Sequence, residues 1–242
     1  QTNEIGMSEC FVKRTDDNEV NIPASGRELI SRMNNRYHEK FFRSLSFSQE
    51  VINYKEQKVS STEIMHEAYL SPGRLILKFR DWGSGDGLIF SNDSLYTIEK
   101  GRVIKEESRI HDLLLLCFDV YNIAPGITTG KLETQNYNLD LITEDHWLGE
   151  RAWRVGDING NCFWIKSESL LLLKVQMKNS DKARSVCFTN YQVINNVPIA
   201  TQIEFYDAAG NLEMVEKYYD IKPFVKLGDS IFNPGNFILS QW

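Results

Sequence analysis

Apolar positions recur at helical spacing in two stretches of this chain and at every second residue through most of the remainder. Ser25 followed three residues later by Glu28 forms a capping box, and Leu29, Ile30, Met33 and Tyr37 then place an apolar stripe on one face. This predicts a helix over Gly26 to Lys40. From Leu45 the period becomes two, with Leu45, Phe47 and Val51 on one side and Ser46, Ser48 and Glu50 on the other. Val59 to Leu70 reads as a second strand. Ser71-Pro72-Gly73 turns the chain into a third, where Leu75, Leu77 and Phe79 alternate with Lys78 and Arg80. Further strands are predicted at Leu88 to Ser91, Leu95 to Glu99 and Val103 to Glu106. A second helix follows from Arg109 to Val120, ended by Pro125 and Gly126. Its run Leu113 to Phe118 covers more than one face, so it packs against protein on most sides.

The strongest strand signal lies in the second half. Short apolar bursts at Ala152 to Val155, Cys162 to Ile165 and Leu170 to Met177, separated by polar turns, predict a three-stranded antiparallel meander. Before it, the polar passage Thr128 to Asp145 offers only a short strand over Asn136 to Leu141. After it, Ala183 to Val193, Ile199 to Tyr206 and Leu212 to Ile221 read as strands with Asn195-Asn196 and Ala209-Gly210-Asn211 as turns. Residues 1–24, with the acidic cluster Asp16-Asp17-Asn18-Glu19, are expected to be a flexible lead-in, and residues 25–242 a single domain.

The elements sum to an α+β class, mainly antiparallel β. A sheet of about ten strands curls into an incomplete barrel, with two helices covering its concave face. Inward-facing residues then either pack solidly under the helices or leave an apolar cavity; alternation alone leaves both open.

Charge and chemistry narrow the function. The net charge of -6 gives no basic field for a polyanion, so nucleic acid is not an expected partner. The longest apolar run is far short of the roughly 20 residues a membrane-spanning helix needs. Cys10, Cys117, Cys162 and Cys187 form no C-x-x-C pair, and no histidine stands at metal-ligand spacing, so neither a metal nor a cofactor is expected. Cys162 and Cys187 fall in the first and third of three successive strands, too far apart to bridge. The loop Trp82 to Gly87 is rich in glycine but feeds a strand, whereas a phosphate cradle needs a helix N-terminus. Asp140, Glu144 and Asp145 form the best carboxylate cluster for acid/base work on a glycan. A solvated loop is the simpler reading, because nothing nearby would push their pKa values apart. No Gly-x-Ser-x-Gly elbow is present.

The order of elements resembles that of the periplasmic lipoprotein carrier and sorting proteins, the LolA/LolB-like superfamily. The resemblance runs from the N-terminal helix through Leu45-Ser46-Phe47-Ser48-Gln49 and the Ser71-Pro72-Gly73 turn to Cys162-Phe163-Trp164-Ile165 and Ile231-Phe232-Asn233-Pro234-Gly235-Asn236-Phe237, covering Ser25 to Phe237. Lys166 stands where an aspartate is frequent in that family, and Thr128 to Asp145 has no counterpart. The resemblance implies a non-enzymatic, monomeric periplasmic protein, Gln1 being the residue left after signal-peptide removal, that holds lipid or lipoprotein acyl chains under a helical lid. The ligand-binding positions it implies are Phe47, Leu77, Phe79, Trp153, Phe163, Ile165 and Leu171 on the sheet and Leu113 and Leu116 on the lid. Trp82 would be a contact for a membrane or for inner- or outer-membrane partner proteins. Two other readings stay open: an envelope interaction or stress-sensing module without a ligand, and a glycan hydrolase using Asp140, Glu144 and Asp145.

Overall fold

The computed structural model describes residues 22–179 and 182–242; most of the expected lead-in, with Cys10, lies outside them. Helix α1 (Gly26–Tyr37) precedes six strands: β1 (Ser44–Lys55), β2 (Lys58–Leu70), β3 (Arg74–Phe79), β4 (Gly87–Ser91), β5 (Ser94–Glu99) and β6 (Arg102–Ser108). Helices α2 (Asp112–Cys117) and α3 (Pro125–Thr134) flank a 3-10 turn at Asp119–Tyr121. Seven strands complete the sheet: β7 (Ile142–Trp147), β8 (Glu150–Gly156), β9 (Cys162–Lys166), β10 (Leu172–Asn179), β11 (Lys182–Ile194), β12 (Val197–Tyr206) and β13 (Leu212–Pro223). Two 3-10 segments, Asp229–Phe232 and Pro234–Leu239, end the chain.

All thirteen strands join one antiparallel sheet in the order β6-β5-β4-β3-β2-β1-β13-β12-β11-β10-β9-β8-β7. It is two meanders joined where β1 pairs with β13, and β6 and β7 remain unpaired edges, so the barrel is open. The connection between those two edges must cross the whole sheet. Curling brings the edges toward one another, and the connection carries α2 and α3 across the hollow.

Capping fixes where α1 begins. Ser25 Oγ accepts from Glu28 N at 3.2 Å, and Glu28 Oε2 accepts from Ala24 N at 2.7 Å. Leu29, Ile30 and Met33 are fully buried, a contribution of about 6 kcal/mol at roughly 2 kcal/mol per side chain. Gly26 lets the first turn sit directly on β8, because a Cβ there would collide with Val155 Cγ1. The helix stops at Tyr37, three residues before its expected end.

The structure corrects several expectations. Among the described residues there are thirteen strands rather than about ten, and three helices rather than two. Pro125 and Gly126, expected only to stop a helix, begin α3 with Pro125 at its first turn, where a missing N–H costs nothing. The expected strand at Asn136 to Leu141 is instead a turn with an isolated bridge from Tyr137 to Asn161, and the strand lies at β7. The Gly149 to Met177 meander is found as β8, β9 and β10. Cys162 and Cys187, with β10 between their strands, are free thiols, as is Cys117.

The main core lies on the concave face, joining α1 and α2 to the inward residues of both meanders. A smaller cluster on the other face packs Ala68, Ile76, Ile89 and Ile98 under Ile231, Phe232 and Phe237 of the C-terminal segments. Among the described residues no helix is long and apolar enough to cross a membrane.

Candidate functional site

Strand register assembles the site. Paired residues of an antiparallel sheet share a face. Leu75 opposes Phe90, Leu77 opposes Leu88 and also Glu67, and Glu67 opposes Phe47. Across the β1/β13 seam Gln49 opposes Tyr218; beyond it Glu216 opposes Ile203, Met214 opposes Phe205, and Ile203 opposes Phe188. One concave patch therefore draws on strands far apart in sequence. Helix α2 roofs it. Within its apolar run Leu114, Leu115, Leu116 and Phe118 are buried, and the two that are not, Leu113 and Cys117, stand four residues apart on one face. Both border a cavity of about 210 Å³ between α2 and the sheet. Its wall is mostly apolar: Phe47, stacked on Tyr218 with ring centroids 4.2 Å apart, with Leu77, Phe188, Ile203, Phe205 and Met214.

Two acids interrupt this wall. Glu67, on β2, is 5% exposed and accepts from Gln49 Nε2 at 2.7 Å; Glu216, on β13, accepts from Tyr218 OH at 3.4 Å. Burial raises both carboxyls, Glu67 well above the ordinary range with its neighbour Glu216 as a second cause, and Glu216 to about 7. Gln49 is fully buried, and its Oε1 has no hydrogen-bond partner. Neither acid forms an ion pair with a described lysine or arginine.

The roof is tied at both ends. At the start of α2, His111 Nδ1 accepts from Leu114 N at 3.3 Å, its ring lies 4.5 Å from Phe90, and burial pushes its pKa down to about 4. Asp112 accepts from Gln135 Nε2 at 2.8 Å and Tyr137 OH at 3.1 Å, which fastens that end to the residues after α3. At the other end Asp119, 4% exposed, accepts from Tyr69 OH at 2.6 Å, Ser71 Oγ at 3.1 Å and Gly73 N at 2.8 Å. A wider, mostly polar space of about 750 Å³ adjoins the cavity at Phe90, His111, Leu113 and Phe205, and includes Arg109, Asn161 and Arg184.

Of the residues expected to hold a ligand, Phe47, Leu77 and Leu113 border the cavity. Leu116 is fully buried in the core, and Phe79 is half-buried farther along β3, away from the cavity lining. Trp153, Phe163, Ile165 and Leu171 are buried in the concave core on the β8–β10 side and do not line the cavity. Sequence reasoning did not single out Glu67, Phe188, Ile203, Phe205, Met214, Glu216 or Tyr218. Burial alternates at Ile199, Ile203 and Phe205 of β12, a signal that marks the inward face of that strand.

Trp82 is half-buried, stacked on His66 at 4.3 Å and edge-on to Trp242 at 4.8 Å. Asp140 pairs with Arg27, Glu144 takes Arg151 Nε at 2.7 Å, and Asp145 accepts from Trp164 Nε1 at 2.9 Å. These partners lower the pKa values of Glu144 and Asp145, and as neighbours on β7 the two point to opposite faces. None of the three borders the cavity or the space beside it.

An open, curled antiparallel sheet with helices laid in its hollow defines the class, and solved structures of that class match the chain. A putative outer membrane lipoprotein-sorting protein domain from Vibrio parahaemolyticus is 15% identical over 88% of this chain and 97% of its own, with a TM-score of 0.61. A DUF1329 family protein from Desulfovibrio piger is 14% identical over 86% and 95%, with a TM-score of 0.60. A LolA superfamily protein from Nitrosomonas europaea is 16% identical over 84% and 97%, with a TM-score of 0.54. This chain has a LolA-like fold. No family model matches the sequence, and no curated protein matches it.

Proposed function

We propose that this chain is a periplasmic binding protein that holds an apolar ligand, lipid or a lipoprotein acyl chain, on the concave face beneath α2. The observation that carries this is the cavity of about 210 Å³ lined by Phe47, Leu77, Leu113, Phe188 and Phe205. An apolar cavity of about 150 Å³ is already large enough to take up benzene. Two of the structural neighbours are described as lipoprotein-sorting or LolA superfamily proteins, which supports both the ligand class and the compartment. A cavity of this size suits a short apolar segment, so a longer chain extends into the adjoining space or displaces α2. Each methylene taken from water contributes about 0.8 kcal/mol, close to fourfold in affinity.

On this reading Asp140, Glu144 and Asp145 have no catalytic role, and any partner contact, including one through Trp82, lies outside the cavity. Displacement of a fluorescent fatty acid from delipidated protein tests it. Saturable binding whose affinity rises with acyl length is the expected result, and absence of binding refutes the proposal. Mass spectrometry of lipid extracted from the purified protein identifies the native occupant.

A further inference from the structure

The acids in the cavity wall have no structural counterpart that explains them. Glu67 and Glu216 border the same cavity from β2 and β13, on either side of β1. From β1 itself, Gln49 donates to Glu67 and keeps an unpartnered Oε1 although it is fully buried. The groups around them are poor at neutralising a carboxylate. Tyr218 reaches Glu216 only at 3.4 Å and Gln49 offers it a neutral amide, Cys117 from α2 is a half-buried thiol that burial keeps protonated, and His111 at the rim is held neutral by burial. The cation nearest in effect, Arg184, already pairs with Glu213 at 3.2 Å and lies over the Phe205 ring. Three acceptor-bearing side chains thus sit on one concave patch with more acceptor atoms than donors. A buried polar group without a partner costs stability, and a charge-assisted hydrogen bond from an ammonium is its strongest complement.

We propose that the Glu67/Glu216 pair, with Gln49, is the recognition point for a primary amine carried on an apolar body, so that the cavity selects cationic amphiphiles over neutral or anionic ones of equal length. An ammonium at this point donates up to three hydrogen bonds. The ammonium charge favours ionisation of both carboxyls, whose protons pass to solvent, and the carboxylates and Gln49 Oε1 are then the acceptors, while the alkyl body lies against Phe47, Leu77 and Phe188. A fatty-acid carboxylate brought to the same point meets like charge. This inference rests on the apolar-ligand reading and adds the chemistry of the group that enters with the ligand.

The test uses the neutral probe diphenylhexatriene, displaced at pH 8 by monomeric dodecylamine, dodecanol and dodecanoate. Dodecylamine is expected to displace it at a concentration at least tenfold lower than dodecanol, with dodecanoate weakest. In the double variant Glu67→Gln, Glu216→Gln the three ligands are expected to fall within threefold of one another. Equal displacement by dodecylamine and dodecanol in the unaltered protein overturns the inference while leaving the apolar-ligand reading in place; this comparison needs no variant to fold. A tenfold preference that survives in a folded double variant also overturns it, because the selectivity then lies elsewhere. Failure of the protein to take up diphenylhexatriene at all overturns both readings.

Discussion

Replacing Asp119 by alanine removes the anchor that holds the far end of α2 to the β2–β3 turn. The side chain is 4% exposed and accepts three hydrogen bonds, the shortest from the hydroxyl of Tyr69, which is itself fully buried. In Asp119→Ala the Tyr69 hydroxyl loses its shortest and only charged partner inside the core, a cost of about 2 kcal/mol. Ser71 and Gly73 are half-buried and regain water, so their lost bonds cost about 1 kcal/mol each. The expected loss is about 4 kcal/mol, a large share of the 5–15 kcal/mol typical of a folded domain. Urea unfolding measures it, with an unchanged m-value showing that the denatured state is the same. The Tyr69 hydroxyl supplies a second, sharper test. Tyr69→Phe made in the Asp119→Ala background removes a buried donor that has lost its strongest acceptor, so the double variant is expected to be at least 1 kcal/mol more stable than the sum of the single effects predicts. A loss below about 1 kcal/mol, or strict additivity of the two substitutions, would refute the assignment of Asp119 as the anchor.

Two further outcomes concern the cavity itself. The folded-state pKa of Glu216, near 7, lies above its unfolded value of about 4.3, so between these pH values the folded chain binds more protons and this group's contribution weakens as pH rises. Glu216→Gln removes that contribution and is therefore expected to gain about 2 kcal/mol relative to the unaltered protein between pH 5 and pH 8 in urea unfolding. His111 titrates in the opposite sense, but it is present in both proteins and cancels in the difference, whereas Glu67, raised in part by Glu216, moves toward its ordinary range in the variant and changes the difference in the same direction. A stability difference that stays constant with pH would contradict the burial assigned to Glu216. Leu113→Trp projects an indole from α2 into the cavity and is expected to reduce diphenylhexatriene uptake at least fivefold without lowering the urea midpoint; undiminished uptake would place the site elsewhere.

The parts of the fold that were legible share one property: their signal is local. Ser25 and Glu28 announce α1 within four residues, and the bursts around Trp153, Phe163 and Leu171 announce β8 to β10 without reference to anything distant. Helix α3 is the opposite case. Pro125 can stop one helix as readily as it starts the next, and Gly126, Gly130 and three threonines give the segment little intrinsic helix propensity. Burial of Thr128 and Leu132 supplies what the local sequence lacks. Strand β7 was hidden for another reason. It is an edge, with Thr143, Glu144 and His146 exposed, and a strand that buries no face shows no apolar alternation. The cavity was hidden more deeply. Alternation puts Trp153 and Phe47 alike on the inward face, yet one lies where side chains meet and the other where they fall short. That distinction depends on volumes summed across strands distant in sequence.

Chain order explains why the hollow is roofed at all. Because β6 and β7 are opposite edges of one sheet, any connection between them crosses the concave side, and an apolar helix there stays out of water only by lying against the sheet. The first half of α2's job is therefore set by topology, independent of ligand. The acids are not set that way. Glu67 and Glu216 flank β1 at the joint between the two meanders, positions where leucine would bury as well and cost no desolvation. A roof that follows from connectivity and a wall chemistry that connectivity does not require are separable. The first accounts for a space beneath α2, and only the second gives that space a preference among ligands of equal apolar size.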